Sequence, residues 1–390
     1  MGTSRWSISH SQNQKSDAMQ PNLKFIIKTS CGVFFLFLYC EFVIFYIVQL
    51  KCDWPELSPE NGPQFDEDPV KVMVIADTHL LGSKRGHWFD KLRREWQMYR
   101  AFQTAMVIHK PELVFVLGDL TDEGLYCSSS EFEYYVRRFY SLFEVPEGTK
   151  MYVAVGNHDI GFHYGVSPYL NERFVTAFNA PAVQLISVRG NHFVLVNSMA
   201  LEGDGCFLCK PAEQQLTKIQ KILQCTKGTY ASKCNPKMKL DVYSRPVLMQ
   251  HYPLYRQSDM ECSDFDSAPY PVKQERFRER WECLSQEATL QILDQLKPRL
   301  ALSGHTHHGC TRPLPTGDGV EVTVPSFSWR NKDNPNYLLA VFSPNNYAYA
   351  KCELPRESTV INLYMFGATM FILWLIYSLM CRGRRKYKYH

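Results

Sequence analysis

Five short apolar runs in this chain each stop at side chains able to bind a metal. Residues 72–76 run into Asp77-Thr78-His79, residues 113–117 into Gly118-Asp119, and residues 151–155 into Gly156-Asn157-His158-Asp159. Residues 246–250 run into His251, and residues 300–303 into Gly304-His305-Thr306-His307. Carboxylate, amide and imidazole donors together suit divalent cations such as manganese, iron and zinc. A pair of cations roughly 3.5–4 Å apart can clamp the oxygens of a phosphoryl group and activate a water for attack on it. The donor inventory for such a pair is Asp77, His79, Asp119, Asn157, His251, His305 and His307. Asn157 adds an oxygen ligand without adding charge. Gly118, Gly156 and Gly304 stand where strand must turn sharply into loop.

Apolar, β-branched runs of this length read as buried strands. In α/β folds, chemistry collects at the carboxyl ends of strands. Helical spacing recurs between them, in Trp88, Phe89, Leu92, Trp96, Tyr99, Phe102 and Met106, and in Phe132, Tyr135, Phe139 and Leu142. These aromatic stripes read as core faces. Residues 211–225 and 285–296 supply later helices, and residues 321–324, 337–342 and 347–353 read as consecutive strands. Alternating βα units that give way to a run of strands predict an α/β fold, a two-sheet αββα sandwich.

Two stretches read as membrane spans, residues 29–50 and 360–380. The first reads as a signal anchor, because a cleaved signal peptide would have a shorter apolar core and a small-residue cleavage site. Lys24 and Lys28 precede the first span, and Arg382, Arg384, Arg385, Lys386 and Lys388 follow the second. The positive-inside rule then puts both termini in the cytosol and the intervening residues in a lumen. The expected layout is a cytosolic tail over 1–28, an anchor over 29–50, a linker over 51–69, a lumenal domain over 70–355, a second span over 360–380 and a basic cytosolic tail over 381–390. Glu41, at membrane depth, either contacts a partner or the second span, or is merely tolerated. Thirteen cysteines, ten of them between Cys52 and Cys352, suit an oxidising compartment and disulfides. The pair Cys206-Phe207-Leu208-Cys209 has zinc-like spacing, but without a second pair nearby the lumenal setting favours a disulfide. His87, His109, His163 and His192 read as ordinary structural histidines, and His308 as a rim residue. A net charge of only +4 offers no basic surface for nucleic acid.

The ordered set Asp77-Thr78-His79, Gly118-Asp119-Leu120-Thr121-Asp122, Gly156-Asn157-His158-Asp159, His251 and Gly304-His305-Thr306-His307 resembles the signature of the calcineurin-like metallophosphoesterases. The resemblance implies that Asp77, His79 and His307 hold one metal and Asn157, His251 and His305 the other, with Asp119 bridging. It implies that His158 faces the substrate and assists the leaving group, while Asp122 and Asp159 orient ligands. Glu123 and Val155 occupy places where the protein phosphatases of that superfamily carry arginine, which speaks against a phosphoprotein substrate. Lys386 and Lys388 resemble a dilysine retrieval signal, the alternative being plain stop-transfer charges. The layout as a whole resembles the endoplasmic-reticulum metallophosphoesterases that remodel glycosylphosphatidylinositol (GPI) anchors. That implies a manganese-dependent phosphodiesterase acting on GPI-anchored proteins, in the endoplasmic reticulum and Golgi membranes, with coat-protein retrieval machinery and cargo receptors as partners. Two rival readings stay open: a membrane-tethered enzyme for another lipid-linked or nucleotide phosphoester, and an inactive scaffold.

Overall fold

The computed structural model describes residues 13–58, 68–229, 234–235 and 239–387, with the side chains of 13–22, 24 and 381–387 left aside. In chain order the elements begin with α1 (Asn13–Leu38), a π-helical turn (Tyr39–Val43), α2 (Ile44–Gln49), β1 (Val70–Ile75), α3 (Trp88–His109), β2 (Leu113–Leu117) and α4 (Ser129–Leu142). Next come β3 (Lys150–Ala154), α5 (Asn157–Ile160), α6 (Pro168–Phe178), β4 (Val183–Val188), β5 (Asn191–Val196), α7 (Cys209–Lys227) and β6 (Val247–Gln250). The chain ends with α8 (Tyr270–Lys273), α9 (Gln286–Leu296), β7 (Leu300–Ser303), β8 (Cys310–Pro313), β9 (Val320–Thr323), β10 (Asn336–Ser343), β11 (Asn346–Glu353) and α10 (Glu357–Tyr387).

The chain divides into two units, residues 1–44 with 358–390, and residues 45–357. The larger contains two sheets, one in the order β11-β10-β1-β2-β3 and one in the order β4-β5-β6-β7-β9-β8. Strands β1, β2 and β3 run parallel, as do β5, β6, β7 and β9, whereas β10, β11, β4 and β8 are antiparallel to their neighbours. Alternate residues of each sheet meet in one core. Val70, Val72 and Val74 of β1 and Leu113, Phe115 and Leu117 of β2 belong to the same cluster as Phe193 and Leu195 of β5, Val247 and Met249 of β6, and Leu300 and Leu302 of β7. Parallel strands covered on both faces read as continuous apolar runs, and β2 is buried at every position. The expected two-sheet α/β sandwich is therefore the observed fold.

Several details differ from the sequence reading. Trp88, Phe89 and Leu92 are exposed, while Met98, Phe102 and Met106 are buried. Helix α3 has 22 residues, about 33 Å at 1.5 Å per residue, and β1 has only six, about 20 Å. The first turns of α3 thus overshoot the strand. Among the described residues the disulfides are Cys52–Cys352, Cys225–Cys234 and Cys262–Cys310. Cys127, Cys206, Cys209 and Cys283 are free. The expected Cys206–Cys209 disulfide is not formed, since the two sulfurs lie 2.7 Å apart, against about 2.05 Å for a bond. The start of the expected linker is tied down by the Cys52 bridge and by Trp54 Nε1 donating to the His109 carbonyl at 3.1 Å.

Among the described residues, the helices long and apolar enough to cross a membrane are Phe25–Gln49 and Glu357–Met380, each starting a few residues before the sequence reading. The last five residues of the first, from Phe45, belong to the larger unit. Glu41 has a partner, because Tyr364 Oη on α10 donates to its Oε1 at 2.5 Å. Phe25 and Trp374 stack with ring centroids 4.7 Å apart. Lys388 and the two residues after it lie outside the described residues, and the retrieval-signal reading falls there.

Candidate metal centre

All eight candidate residues follow the carboxyl ends of β1, β2, β3, β6 and β7, with Asn157 and His158 opening the short helix α5. The backbone there is unusual: Asp77 (φ 53°), His79 (45°), Asp119 (48°), His305 (74°) and His307 (61°) all lie in the left-handed region. Such conformations cost roughly 1–3 kcal/mol each and collect at functional sites where the surroundings enforce them. Here the enforcement is visible. Asp77 N donates to the Gly118 carbonyl at 3.2 Å, and His79 N to the Asp119 carbonyl at 2.9 Å. Ser326 Oγ donates to the Asp77 carbonyl at 2.7 Å. The two sheets are latched together by His305 N, which donates to the Asp77 carboxylate at 3.0 Å. Close approach explains two glycines. A Cβ on Gly118 would lie 2.6 Å from His251 Nδ1, and one on Gly156 would collide with the backbone N and carboxylate of Asp119.

The ring nitrogens sort into two sets. His251 Nδ1 bonds the Leu117 carbonyl at 2.8 Å, His79 Nδ1 bonds Asp122 Oδ1 at 3.2 Å, and His305 Nε2 bonds the Trp281 carbonyl at 2.6 Å. Neutral tautomers with their protons on those outer nitrogens would leave the inner nitrogens as acceptors. The inner set faces other acceptors at short range. His79 Nε2 lies 3.1 Å from His307 Nε2, His251 Nε2 lies 3.0 Å from Asn157 Oδ1, and His305 Nδ1 lies 3.2 Å from His251 Nε2. Acceptors brought together in this way call for a cation between them. Asp77, His79 and His307 form one group of converging ligand atoms and Asp119, His251 and His305 another. Asp119 Oδ2 stands between them, 3.5 Å from His79 Nε2 and 3.3 Å from His251 Nε2.

Burial and charge act in opposition across this cluster. Burial raises the Asp77 carboxyl well above its usual range. Burial would also raise Asp119, but the charge and hydrogen bond of His251 outweigh it and hold Asp119 well below that range. His251, which burial alone would depress, is lifted to about 9 by Asp119. Burial and the neighbouring His251 push His305 down to about 3, and burial with His79 pushes His307 well down. Asp159 is raised to about 7 by burial and then by Asp119, while it accepts from Gly156 N and Thr121 N at 3.0 Å each. It pins the loops after β2 and β3 to one another. Asp122 Oδ1, through its bond to His79 Nδ1, fixes the orientation of that ring.

His158 differs from the other histidines. Its side chain is 35 % exposed, its backbone N–H donates to Asp119 Oδ1 at 2.8 Å, and its Nδ1 meets the Asp122 carbonyl at 3.3 Å. It is also within ligand reach of His79 and Asp119. The sequence reading missed Arg330, whose Nη2 lies 3.5 Å from Asp122 Oδ2, and the Trp281 carbonyl on His305. Neither stands in a motif, and both come from loops far away in sequence. Of the histidines read as structural, His87 caps α3, His109 bonds Tyr337 Oη at 2.8 Å, and His192 bonds Ser187 and the Val242 carbonyl. His163 instead joins Asp204, Cys206 and Cys209 in a separate cluster.

This sandwich, with ligand-bearing loops at the carboxyl ends of both sheets, is the arrangement of a metal-dependent phosphoester hydrolase, and the chain belongs to the calcineurin-like phosphoesterase family, whose model matches residues 70–309. It is 43 % identical over 367 residues to Metallophosphoesterase 1 of Gallus gallus, covering 93 % of this chain and 92 % of that one. It is 47 % identical over 352 residues to Metallophosphoesterase 1 of Ailuropoda melanoleuca, covering 90 % and 89 %. Among solved structures it is similar to the purple acid phosphatase PPD1 from yellow lupin seeds, at a TM-score of 0.46 and 12 % identity over 75 % of this chain and 53 % of that one.

Proposed function

We propose that this chain is a membrane-tethered dinuclear-metal phosphodiesterase that removes the ethanolamine-phosphate branch from the second mannose of GPI anchors. The observation that carries the hydrolytic part is the placement of Asp119 Oδ2 between two groups of converging inner nitrogens, beside a half-open His158. Asp77, His79 and His307 would hold one divalent cation and Asn157, His251 and His305 the other, with Asp119 shared. The pair would supply an activated water and neutralise charge on the phosphoryl oxygens.

The chain's own residues do the rest. Leu117, Asp122 and the Trp281 carbonyl fix the tautomers of His251, His79 and His305, so that lone pairs point inward. Asp119 accepts from His158 N, which sets the position of that ring. As an imidazolium, His158 donates Nδ1–H to the Asp122 carbonyl and carries the transferable proton on Nε2, from which it goes to the departing alkoxide.

Support for the substrate comes from likeness and layout. The Metallophosphoesterase 1 relatives match along nine-tenths of the chain, and apolar helices stand on both sides of the phosphoesterase residues. Two tethers would confine enzyme and lipid-linked glycan to one surface and raise their effective concentration. We assign manganese as the working metal, the endoplasmic reticulum and Golgi membranes as the location, a lumenal catalytic domain with both termini cytosolic, and GPI-anchored proteins as substrate. Retrieval by coat proteins through Lys386 and Lys388, and hand-over to cargo receptors, complete the proposal. The test is release of ethanolamine phosphate from a synthetic anchor glycan by the full-length chain in detergent. Manganese-dependent release that fails in His158→Ala and Asp119→Asn supports the assignment. Cleavage of simple phosphodiesters with the glycan left intact overturns the substrate and keeps the chemistry.

A further inference from the structure

Apart from the dinuclear centre, a second cluster of ligand-type side chains lies where the loop after α5 meets the loop before α7. His163 Nε2 lies 2.9 Å from Asp204 Oδ2, Cys209 Sγ lies 3.2 Å from Asp204 Oδ1, and Cys206 Sγ lies 2.7 Å from Cys209 Sγ. These four ligand atoms form one converging group, with Cys209 and His163 buried and Asp204 facing solvent. We infer that His163, Asp204, Cys206 and Cys209 form a structural zinc site.

Three observations carry this. First, His163 Nδ1 bonds the Met199 carbonyl at 2.8 Å. With its proton there, Nε2 presents a lone pair toward a carboxylate oxygen, the same acceptor-to-acceptor pairing seen at His251 and Asn157 in the dinuclear centre. A second observation is the use of the backbone: Cys209 N donates to Cys206 Sγ at 3.0 Å and Cys206 N to Asp204 Oδ1 at 3.0 Å. These bonds fix the direction of the Cys206 sulfur and the Asp204 carboxylate. Third, six other cysteines in the same fold are closed into disulfides, while this pair is not. A disulfide would leave the aim of His163 and Asp204 unexplained.

Two thiolates, one imidazole and one carboxylate make a closed four-ligand set of the kind zinc takes in structural sites. Zinc–sulfur bonds of about 2.3 Å in a tetrahedron put the sulfurs roughly 3.7 Å apart. Loading therefore parts them by about 1 Å, through rotation of the half-buried Cys206. The zinc would staple the segment that follows His158 to the start of α7. Neighbouring contacts run between the same segments, since Arg280 reaches both Tyr164 Oη at 3.2 Å and Glu202 Oε2 at 2.5 Å.

The experiment uses the full-length chain purified in detergent without reductant or chelator, from cells grown with cobalt(II) in place of zinc for the spectroscopic probe and from zinc-supplied cells for metal content. The dinuclear centre offers no sulfur, so thiolate-to-cobalt charge-transfer absorption can arise only at a cysteine site. The expected result is such absorption in wild type and in Asp119→Asn, its loss in Cys206→Ser and His163→Ala, and one fewer zinc per chain in Cys206→Ser. Absence of the band in folded, active wild type overturns the inference. So does unchanged zinc content in Cys206→Ser, or a Cys206–Cys209 disulfide found by peptide mapping of most of the unreduced protein. The wild-type measurements decide the matter even where a variant does not fold.

Discussion

Replacing Asp122 by asparagine isolates what the partner of a ligand contributes. Asp122 is 4 % exposed, and burial alone would raise its carboxyl. The hydrogen bond with His79 and then the charges of His79, Arg330 and His158 reverse this and bring it from 3.8 to about 2. A change of nearly two units corresponds to about 2 kcal/mol at ~1.36 kcal/mol per unit. The depressed value also places the carboxylate fully ionised above about pH 4, with its contribution lost only as pH falls through about 2. An asparagine oxygen can still accept from His79 Nδ1, so ring orientation survives while the charge that strengthens His79 as a donor does not. Removing partners of this kind typically costs 10–100-fold in metal affinity. Asp122→Asn should weaken manganese binding by about 10-fold to 30-fold, with activity recovering to within about threefold of wild type at saturating metal. Calorimetric titration and metal-dependent hydrolysis of a simple phosphodiester measure the two quantities. Affinity within twofold of wild type would refute the reasoning, as would activity that excess manganese fails to restore. Arg330→Ala provides the counter-check: it relieves the opposite oxygen of the same carboxylate, so affinity should hold or rise slightly.

Three further outcomes follow from the same geometry. In the metal-free site two groups are biased toward holding protons: His251, whose value is about 9, and Asp77, which burial raises well above the usual carboxylate range. Metal loading must displace them, so affinity should climb with pH between 6 and 9 and flatten above. Calorimetry in buffers of different ionisation enthalpy should show at least one proton released at pH 7, and none would contradict this. Gly156→Ala puts a methyl group into Asp119 and should lower kcat by about 100-fold, the scale of a 1 Å misplacement; near-normal turnover would rule out the close approach. Cys52 and Cys352 close a separation of 300 residues, for which chain entropy sets an upper bound of about 6 kcal/mol. The Cys52→Ser, Cys352→Ser double variant should unfold at markedly lower denaturant, and an unchanged midpoint would show the bridge to be idle.

The strand ends and the converging side chains were legible because each buried run is apolar up to the residue where it meets a polar loop, so the change of character marks both boundary and candidate donor. Strands β4 and β5 were not read. The signal was present all the same: Arg189 (φ 43°) and Gly190 (φ 69°) form a two-residue turn with both central angles positive, between two runs rich in β-branched and apolar residues. Sheet order could not be read, because β10 inserts between β1 and β11 through pairings more than 260 residues apart for β1. The His163–Asp204 approach, 41 residues apart in sequence, was hidden for the same reason. His163 alone looks structural, and Cys206 with Cys209 alone look like half a site. Glu41 shows the converse: its charge within an apolar run left a contact and mere tolerance both open, and the structure supplies Tyr364 as a partner.

The central claim is that seven residues, at the ends of five strands, hold two metals beside one proton donor, His158. Manganese anomalous scattering from crystals of the full-length chain tests it most directly. Two peaks are predicted, one among Asp77, His79 and His307, the other among Asn157, His251 and His305, with Asp119 reaching both and His158 facing the open side. A single peak, or two peaks away from Asp119, would contradict the dinuclear assignment.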